Sequence, residues 1–555
     1  MNKQFKILSR RSFLSHAGKL GLGTALASLI DVPFVVKRAL AEGNIGLNGK
    51  KVLFIWLRGA NDSLNSLIPI QDSAYNTTNR PNILIPKDAI DYSATTGQMD
   101  FPVSGNGLAT FDYADAIRTG NGFAAVHPSL KFLAPVYNAG DLVMIHRVGY
   151  PRQSRSHFDS QNYWENGSPN NNLSKDGIFY RTLLESGLTA TSPLTGVTIQ
   201  SALPLIMRGS AAAMTNLTDP TRYNLFGIPN TTAGNAKADT FLATSNDSLF
   251  PNKKNRDFLQ LQYENLENTL NIFASLNFTD IDPKTDGTPN TGDGNIFLDN
   301  ENTDGDVPYY LFPTRNRKNG GSYLAGRNAD TTKYAVDTGA YGYFRNLKAA
   351  AQILNGTSAI IAGTEFGGWD THNNQGASTG AHANLLRRLG WSMYALRKFF
   401  QIYGKNGTNP LPGATCSWDD LVIVTLSEFG RTTIQNSSGG TDHAEAGLMM
   451  VAGGGVRGVG KDGATNAILG CHPNDSIPWV TGQTGSMFGV SSRYLKRSYD
   501  YRSVLGRIIR DHLGATQGQL DRIIPGYIDS REKLLSGGTN TIDNTVIAGE
   551  PDLVV

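Results

Sequence analysis

Acidic, basic and imidazole side chains are concentrated in the stretch LSEFGRTTIQNSSGGTDHAEAG, residues 426–447. It contains Glu428, Arg431, Asp442 and His443, and it follows an apolar run. Carboxylates supply charge to a divalent ion, and imidazole nitrogens favour zinc, manganese or iron over calcium. Glycines in such a loop let the backbone pass close to an ion or anion. The stretch is a candidate metal site, and the alternative is a polar loop after a buried strand.

Two further polar clusters also follow apolar runs. WDTHNNQ contains Asp370 and His372, whose spacing puts both side chains on the same side of an extended chain. Asp62 follows the run VLFIWL, although an aspartate there is more often a turn former or a helix N-cap. In an open parallel sheet, ligands bind outside the carboxyl ends of the strands. We therefore expect these residues to converge with Glu428 and His443.

A candidate nucleophile lies in SRSHFDSQNYWENG. Ser156 stands where a helix is expected to begin, and a helix N-terminus favours an anionic substrate. The alternatives are that Ser156 or Ser154 only caps the helix, and that a water molecule at the metal attacks. His157 fits a ligand, a proton donor or a packing residue, and Arg431 fits a partner for a substrate anion or for a neighbouring carboxylate.

Strand-like runs alternate with amphipathic helical patterns along the chain. The runs occur within 52–57, 141–151, 358–375 and 420–432, and the helical patterns cover 256–276 and 383–404. This alternation predicts an α/β fold with a doubly wound, mainly parallel sheet and helices on both faces. Residues 278–325 are rich in Asp, Asn, Gly and Thr but lack the spacing of a hand-type calcium loop, which predicts a solvated polar insertion.

The first 41 residues have the features of an export signal. Arg10 and Arg11 precede Phe13 and Leu14, a weakly apolar run follows, and ALA occupies positions 39–41. This pattern predicts a twin-arginine signal peptide over residues 1–41 and a mature chain over 42–555 in the periplasm or outside the cell. The alternative is an amphipathic or anchoring helix.

Charge and cysteine content narrow the function classes. The first 41 residues hold seven Lys/Arg and one Asp, so residues 42–555 carry 43 basic and 46 acidic side chains. This balance predicts no nucleic-acid partner. No apolar run of about 18 residues follows, which predicts no transmembrane segment in the mature chain. Cys416 and Cys471 are too few for a Cys-rich metal site, and they leave open one disulfide or two free thiols.

Several motifs in order carry a family resemblance: LRGANDSLNSLIPI, RSHFDSQNYWENG, GGWDTHNNQ, SEFGRT and GGTDHAEAGLMMVAGGGVRG, followed by DYRSVLGRIIRDHLG and IIPGY. With these, the chain resembles the bacterial domain of unknown function 1501 family over nearly all of 42–555 outside the insertion. That family is grouped with the alkaline phosphatase and sulfatase superfamily, whose members use divalent metals and a Ser, Thr or formylglycine nucleophile at the head of a helix.

The resemblance implies an alkaline phosphatase-like α/β domain with one or two divalent ions. The implied nucleophile is Ser156, and the implied ligands are Asp62, Asp370, His372, Glu428, the weaker candidate Asp442, and His443. Two motifs depart from the superfamily. Phosphatases carry Asp-x-x-x-His and then Asp-His, where this chain has Asp-x-His and then Glu428 without an adjacent histidine. CHPND at 471–475 lacks the arginine of the formylglycine motif, which favours a phosphatase or phosphodiesterase over a strict sulfatase.

Together these features predict an exported metal-dependent hydrolase of phosphate or sulfate esters, acting on a small-molecule or glycan substrate. The alternative is a non-catalytic member of the same fold that binds a cell-surface glycan or an assembly partner.

Overall fold

The computed structural model describes residues 44–100, 114–190, 192, 194–212, 214–220, 269–276, 278, 297–304, 307–314, 338–482, 494–529 and 531–555. The predicted signal peptide lies outside these residues, as do most of the predicted insertion and the first part of the helix expected over 256–276. Residues 269–276 of that expected helix are helical.

Nine strands of the described chain form one mixed sheet. They are β1 (Lys51–Leu57), β2 (Leu142–Gly149), β3 (Gly196–Ile199), β4 (Thr215–Leu217), β5 (Ile361–Phe366), β6 (Leu421–Leu426), β7 (Gly447–Ala452), β8 (Ile468–Leu469) and β9 (Tyr499–Asp500). Their order is β8-β2-β7-β6-β1-β5-β3-β4, and β9 also pairs with β2. All pairings are parallel except those of β7, which is antiparallel to both neighbours.

The central strands are the apolar runs of the sequence. Every residue of β1 is buried, and so is every residue of β2 and β6. Strands covered on both faces lack polar alternation, which is why they appear in the sequence as continuous apolar segments. The predicted α/β class and mostly parallel sheet are confirmed.

The antiparallel strand β7 determines where its preceding loop lies. Because β6 is parallel to β1 and β7 runs back against it, the loop from β6 to β7 stays at the carboxyl edge of the sheet. Residues 427–446 form this loop. The segments after β1, β2 and β5 also leave the sheet at that edge, so four parts of the chain can meet there.

Helices flank the sheet. The longer ones are α1 (His157–Asn166), α2 (Ile178–Ser186), α3 (Tyr341–Gly356), α4 (Ala381–Tyr403), α5 (Tyr501–Arg507) and α6 (Gln517–Ile523), with one-turn helices at Ser63–Ser66 and Ala134–Asn138 and a π-helical turn at Ile508–His512. Helix α3 packs on β5 and β3, and α4 packs on the 3₁₀ helix Pro128–Leu133. Within the described residues, none of these helices has the length and apolar character needed to cross a membrane.

Small sheets complete the described chain. Leu67–Ile68, Ile117–Arg118 and Ala125–Val126 form a three-stranded sheet, Leu298–Asp304 pairs with Val307–Tyr310, and Gly538–Thr539 pairs with Val546–Ile547. The hairpin of Leu298–Asp304 and Val307–Tyr310 lies inside the predicted polar insertion. Apolar residues at the ends of this hairpin, Phe297 and Phe312, pack edge-on against Phe399 of α4, so this part of the insertion is attached to the domain.

Both cysteines are buried, free thiols. Burial raises the pKa of Cys416 to about 12 and the pKa of Cys471 well above its usual value. Of the two alternatives left open by the sequence, the structure has the unpaired thiols.

Candidate metal centre

Three imidazoles surround one carboxylate oxygen at the carboxyl edge of the sheet. From Asp370 Oδ1, the Nε2 atom of His372 lies at 3.0 Å, that of His443 at 3.2 Å and that of His157 at 3.5 Å. His157 begins α1, Asp370 and His372 follow β5, and His443 precedes β7. The structure thus brings the predicted residues Asp370, His372 and His443 together, and His157 lies beside them.

Each imidazole has its Nδ1 atom facing an acceptor. His157 Nδ1 is 2.9 Å from Glu428 Oε1, and His443 Nδ1 is 2.9 Å from the carbonyl oxygen of Arg155. His372 Nδ1 is 3.3 Å from Asp442 Oδ1. An acceptor at Nδ1 fixes the ring orientation and leaves the Nε2 lone pair for a ligand. The three Nε2 atoms therefore face the same small volume beside Asp370.

The cluster is electron-rich. The Nε2 atoms of His372 and His443 are 2.9 Å apart, and both rings use Nδ1 to donate, so two lone pairs face each other next to a carboxylate. The Nε2 atom of His157 is buried and has no hydrogen-bond partner among the described residues. Positive charge at this point would stabilise the arrangement, whether it comes from a proton, a guanidinium or a metal ion.

Donor spacing fits a small divalent ion. Two atoms bound at about 2.1 Å in a tetrahedral zinc site lie about 3.4 Å apart. The Nε2 atoms of His157 and His443 lie 3.5 and 3.2 Å from Asp370 Oδ1. These three residues form the one group in the described chain whose donor atoms lie close enough together to hold a metal ion. Two imidazoles and a carboxylate are a typical ligand set for zinc, manganese or iron.

Glu428 lies behind His157. Its buried carboxylate accepts hydrogen bonds through Oε1 from His157, from the backbone N–H of Gly59 at 2.9 Å and from Gln161 at 3.1 Å. Burial works to raise the pKa of Glu428, but these hydrogen bonds lower it overall. Its Oε2 atom is buried with no hydrogen-bond partner among the described residues. The predicted ligand Glu428 thus contacts His157, and metal binding by its Oε2 atom stays a prediction.

The charges of the cluster differ between its members. The hydrogen bond to Glu428 raises the pKa of His157, whereas burial lowers the pKa of His443. Burial opposes ionisation of Asp370, but the hydrogen bond and charge of Arg431 outweigh it and lower its pKa to about 2. At neutral pH, Asp370 is an anion and His443 is a neutral base, which are the forms that bind metal.

Arg431 is fully engaged by protein acceptors. Its side chain is buried, and its Nη2 is 2.5 Å from Asp370 Oδ1. Nε donates to Ala60 O at 2.9 Å, Nη1 to Thr441 O at 3.1 Å, and Nη2 to Gly59 O and Trp369 O. These contacts favour the second of its two predicted roles, orientation of a carboxylate, and the carboxylate is Asp370 rather than the nearby Glu428.

Asp62 lies outside the cluster. Its buried carboxylate is bound by Arg80 through Nη1 at 2.7 Å and Nη2 at 3.1 Å. Gln375 Nε2 donates to the same carboxylate at 2.7 Å, while its Oε1 accepts from Thr371 and Thr441. The predicted ligand Asp62 therefore has a guanidinium and an amide as its partners, and it supports the loops that carry the cluster.

Ser156 is the N-cap of α1. Its Oγ accepts from the backbone N–H of Asp159 at 3.5 Å, and the Ser154 hydroxyl accepts from the N–H of Ser156 at 3.2 Å. Ser156 is exposed and directly precedes His157, so its hydroxyl is accessible next to the cluster. The capping alternative is present, and the nucleophile assignment stays a prediction.

Sequence reasoning missed three supporting residues. Gln161 lies one helical turn after His157, a spacing that puts both side chains on one face of α1 and could have identified it. Gln375 ends the quoted motif WDTHNNQ. Arg80 lies in a loop without any distinguishing pattern, so no sequence signal indicates its pairing with Asp62.

A comparison with protein families gives one match. The model described as Protein of unknown function (DUF1501) matches residues 326–473. This part of the chain is similar to the DUF1501 family, the family that the sequence motifs resemble. The DUF1501 match contains Asp370, His372, Glu428, Arg431 and the pair Asp442–His443, while Asp62 and His157 precede it. No curated protein and no solved structure matches the chain.

Proposed function

We propose that this chain is a metal-dependent hydrolase of phosphate or sulfate esters. The observation that carries the proposal is the group of His157, His443 and Asp370, whose donor atoms face one another. In each of the two imidazoles, an acceptor at Nδ1 fixes the orientation of the ring. Imidazoles held in this way by a carboxylate or a carbonyl are characteristic of protein metal sites.

In this proposal His157, Asp370 and His443 hold one ion. A second ion, with His372 and Asp442 as its ligands, is part of the proposal only through the family resemblance. Zinc, manganese or iron is favoured over calcium because imidazole is a poor ligand for calcium. Such an ion would act as a Lewis acid toward the ester oxygens.

The protein residues have separate roles in the proposal. Arg431 keeps Asp370 ionised and in place, and Glu428 fixes the ring of His157. Ser156 is the proposed nucleophile, since its exposed hydroxyl lies at the N-terminus of α1, where unpaired N–H groups favour an anionic substrate. An alkaline phosphatase-like arrangement, export by the twin-arginine route and a small-molecule or glycan ester as substrate belong to the same proposal.

Metal analysis of purified protein tests the proposal most directly. We expect a stoichiometric divalent ion in the unaltered chain and its loss in Asp370→Asn and in His443→Gln. The matched control is His472→Gln, because His472 lies outside the cluster. Hydrolysis of generic phosphate and sulfate monoesters and diesters should be lost in the same two variants. Unaltered protein that binds no ion after incubation with zinc, manganese or iron would contradict the proposal.

A further inference from the structure

Two arginines contact the cluster, and they differ in accessibility. Arg431 is buried and all its donors face protein acceptors. Arg155 is exposed, and its carbonyl oxygen is the acceptor 2.9 Å from His443 Nδ1. The Arg155 backbone therefore contacts the cluster, and the residue itself is exposed to solvent.

The Arg155 side chain is held in place by an aromatic ring. Its Cζ atom lies 4.7 Å from the centroid of the Tyr494 ring, and its Nη1 donates to the Tyr494 hydroxyl. Its charge acts to lower the pKa of Glu445, which burial raises overall, and no ion pair within 4.0 Å joins Arg155 to a carboxylate of the described residues. One face of the guanidinium is thus occupied, and its Nη1 donates to Tyr494, the one side-chain hydrogen bond that Arg155 makes with the described residues.

We infer that Arg155 binds the non-bridging oxygens of the tetrahedral oxyanion in the substrate, phosphoryl or sulfuryl, an inference that rests on the proposed function. A planar fork of N–H donors matches two oxygens of such a group and forms charge-assisted hydrogen bonds with them. Stacking on Tyr494 reduces the entropy that the side chain loses on binding. The anion-binding arginine of the site is then Arg155, and Arg431 is a positioning residue.

Anion binding by the Arg155 side chain can be tested separately from metal binding. The contact to His443 comes from the carbonyl oxygen of Arg155, which every substitution of the side chain retains. Arg155→Gln should remove the anion contact and leave the imidazole oriented. Arg152 is a matched control because it is exposed and lies on the same loop, with no contact to the cluster among the described residues.

The test is calorimetric titration with inorganic phosphate and, separately, with inorganic sulfate. The unaltered chain, Arg155→Gln, Arg155→Lys and Arg152→Gln are titrated with and without added zinc, and their metal content is measured. We expect Arg155→Gln to keep its metal content and to lose affinity for the preferred anion by about tenfold or more. Arg155→Lys should lose less, and Arg152→Gln should stay within about twofold of the unaltered chain.

The separate titrations with phosphate and sulfate identify the preferred anion. The metal content distinguishes the proposed hydrolase from the anion-binding role of Arg155. Equal anion affinity in Arg155→Gln and the unaltered chain would overturn the inference, and so would an unaltered chain that binds neither anion. A chain that binds anion through Arg155 but no metal would contradict the proposed hydrolase and leave Arg155 as an anion site. Loss of metal from Arg155→Gln would show that the side chain affects metal binding, and it would overturn the inference that the side chain acts on the anion alone.

Discussion

The guanidinium of Arg80 encloses the carboxylate of Asp62 with two hydrogen bonds, and neither side chain reaches solvent. Arg80 also donates to the carbonyl oxygens of Thr432 and Thr433, so this ion pair connects the segment after β1 to the loop that carries Arg431. Breaking the pair from one side leaves a buried charge without a partner.

Arg80→Met should lower the free energy of unfolding by about 3–5 kcal/mol, the usual cost of an unpaired buried charge. Urea denaturation followed by circular dichroism measures it. Removing both charges in Arg80→Met with Asp62→Asn should recover part of the loss. Arg531→Met is the exposed control and should change little, because the Arg531 side chain is 76% exposed. The ion-pair explanation would be contradicted if the double variant lost more free energy of unfolding than the two single variants lose together.

Stability should fall at acid pH because of Asp62. Burial opposes its ionisation, but the charge and hydrogen bonds of Arg80 outweigh burial and keep its pKa in the folded protein below 3.8. A carboxyl group with a depressed pKa stabilises the fold above its unfolded pKa, and this contribution is lost as the pH falls through the folded value. The difference in Tm between the unaltered chain and Asp62→Asn should therefore shrink below about pH 4. A constant difference would exclude this role.

Metal binding near pH 6.5 should release a proton from His157. The hydrogen bond to Glu428 raises the pKa of His157 above 6.5, while burial lowers that of His443 and the pKa of Asp370 is about 2. Of these three candidate ligands, His157 is then the one that is mainly protonated before metal binds. Titration with zinc in buffers of different ionisation enthalpy counts the proton, and the release should vanish at higher pH. His157→Gln should abolish it, and buffer-independent heats in the unaltered chain would contradict the assignment.

Substitutions of Ser156 can separate capping from nucleophilic attack. Ser156→Ala should cost up to about 1 kcal/mol in stability through loss of the N-cap. Ser156→Asn keeps a capping oxygen and lacks the hydroxyl, so its stability should stay close to that of the unaltered chain while ester hydrolysis is lost. Ser154→Ala is the matched control. Full hydrolysis by Ser156→Asn would exclude Ser156 as the nucleophile.

Strand positions were predictable where burial is complete. The apolar runs ending near Leu57, Phe366 and Leu426 appear as β1, β5 and β6 within a few residues. Strands β3 and β4 have four and three residues, too few for a periodic pattern to emerge. The antiparallel direction of β7 was also not predictable, because apolar runs in the sequence carry no information on strand polarity.

The sequence predicts which residues lie at the carboxyl edge of the sheet, but not which of them contact one another. Parallel strands direct the segments after them to one edge, which is why Asp370 and His443 could be expected to meet. The same reasoning placed Asp62 with them, but an arginine from a patternless loop binds its carboxylate instead. Likewise, Glu428 follows a strand as expected, yet its carboxylate contacts Nδ1 of His157, and no pattern in the sequence indicates that contact.

The contacts that orient the cluster join distant parts of the chain. Gly59 and Glu428 are 369 residues apart, Asp62 and Gln375 are 313 apart, and His157 and Glu428 are 271 apart. Contacts of such separation close long loops, so their entropic cost is high and they form late in folding. On a ribosome, the cluster can assemble only after the last third of the polypeptide has begun to emerge, so ion binding at the proposed metal centre would occur late in synthesis and folding.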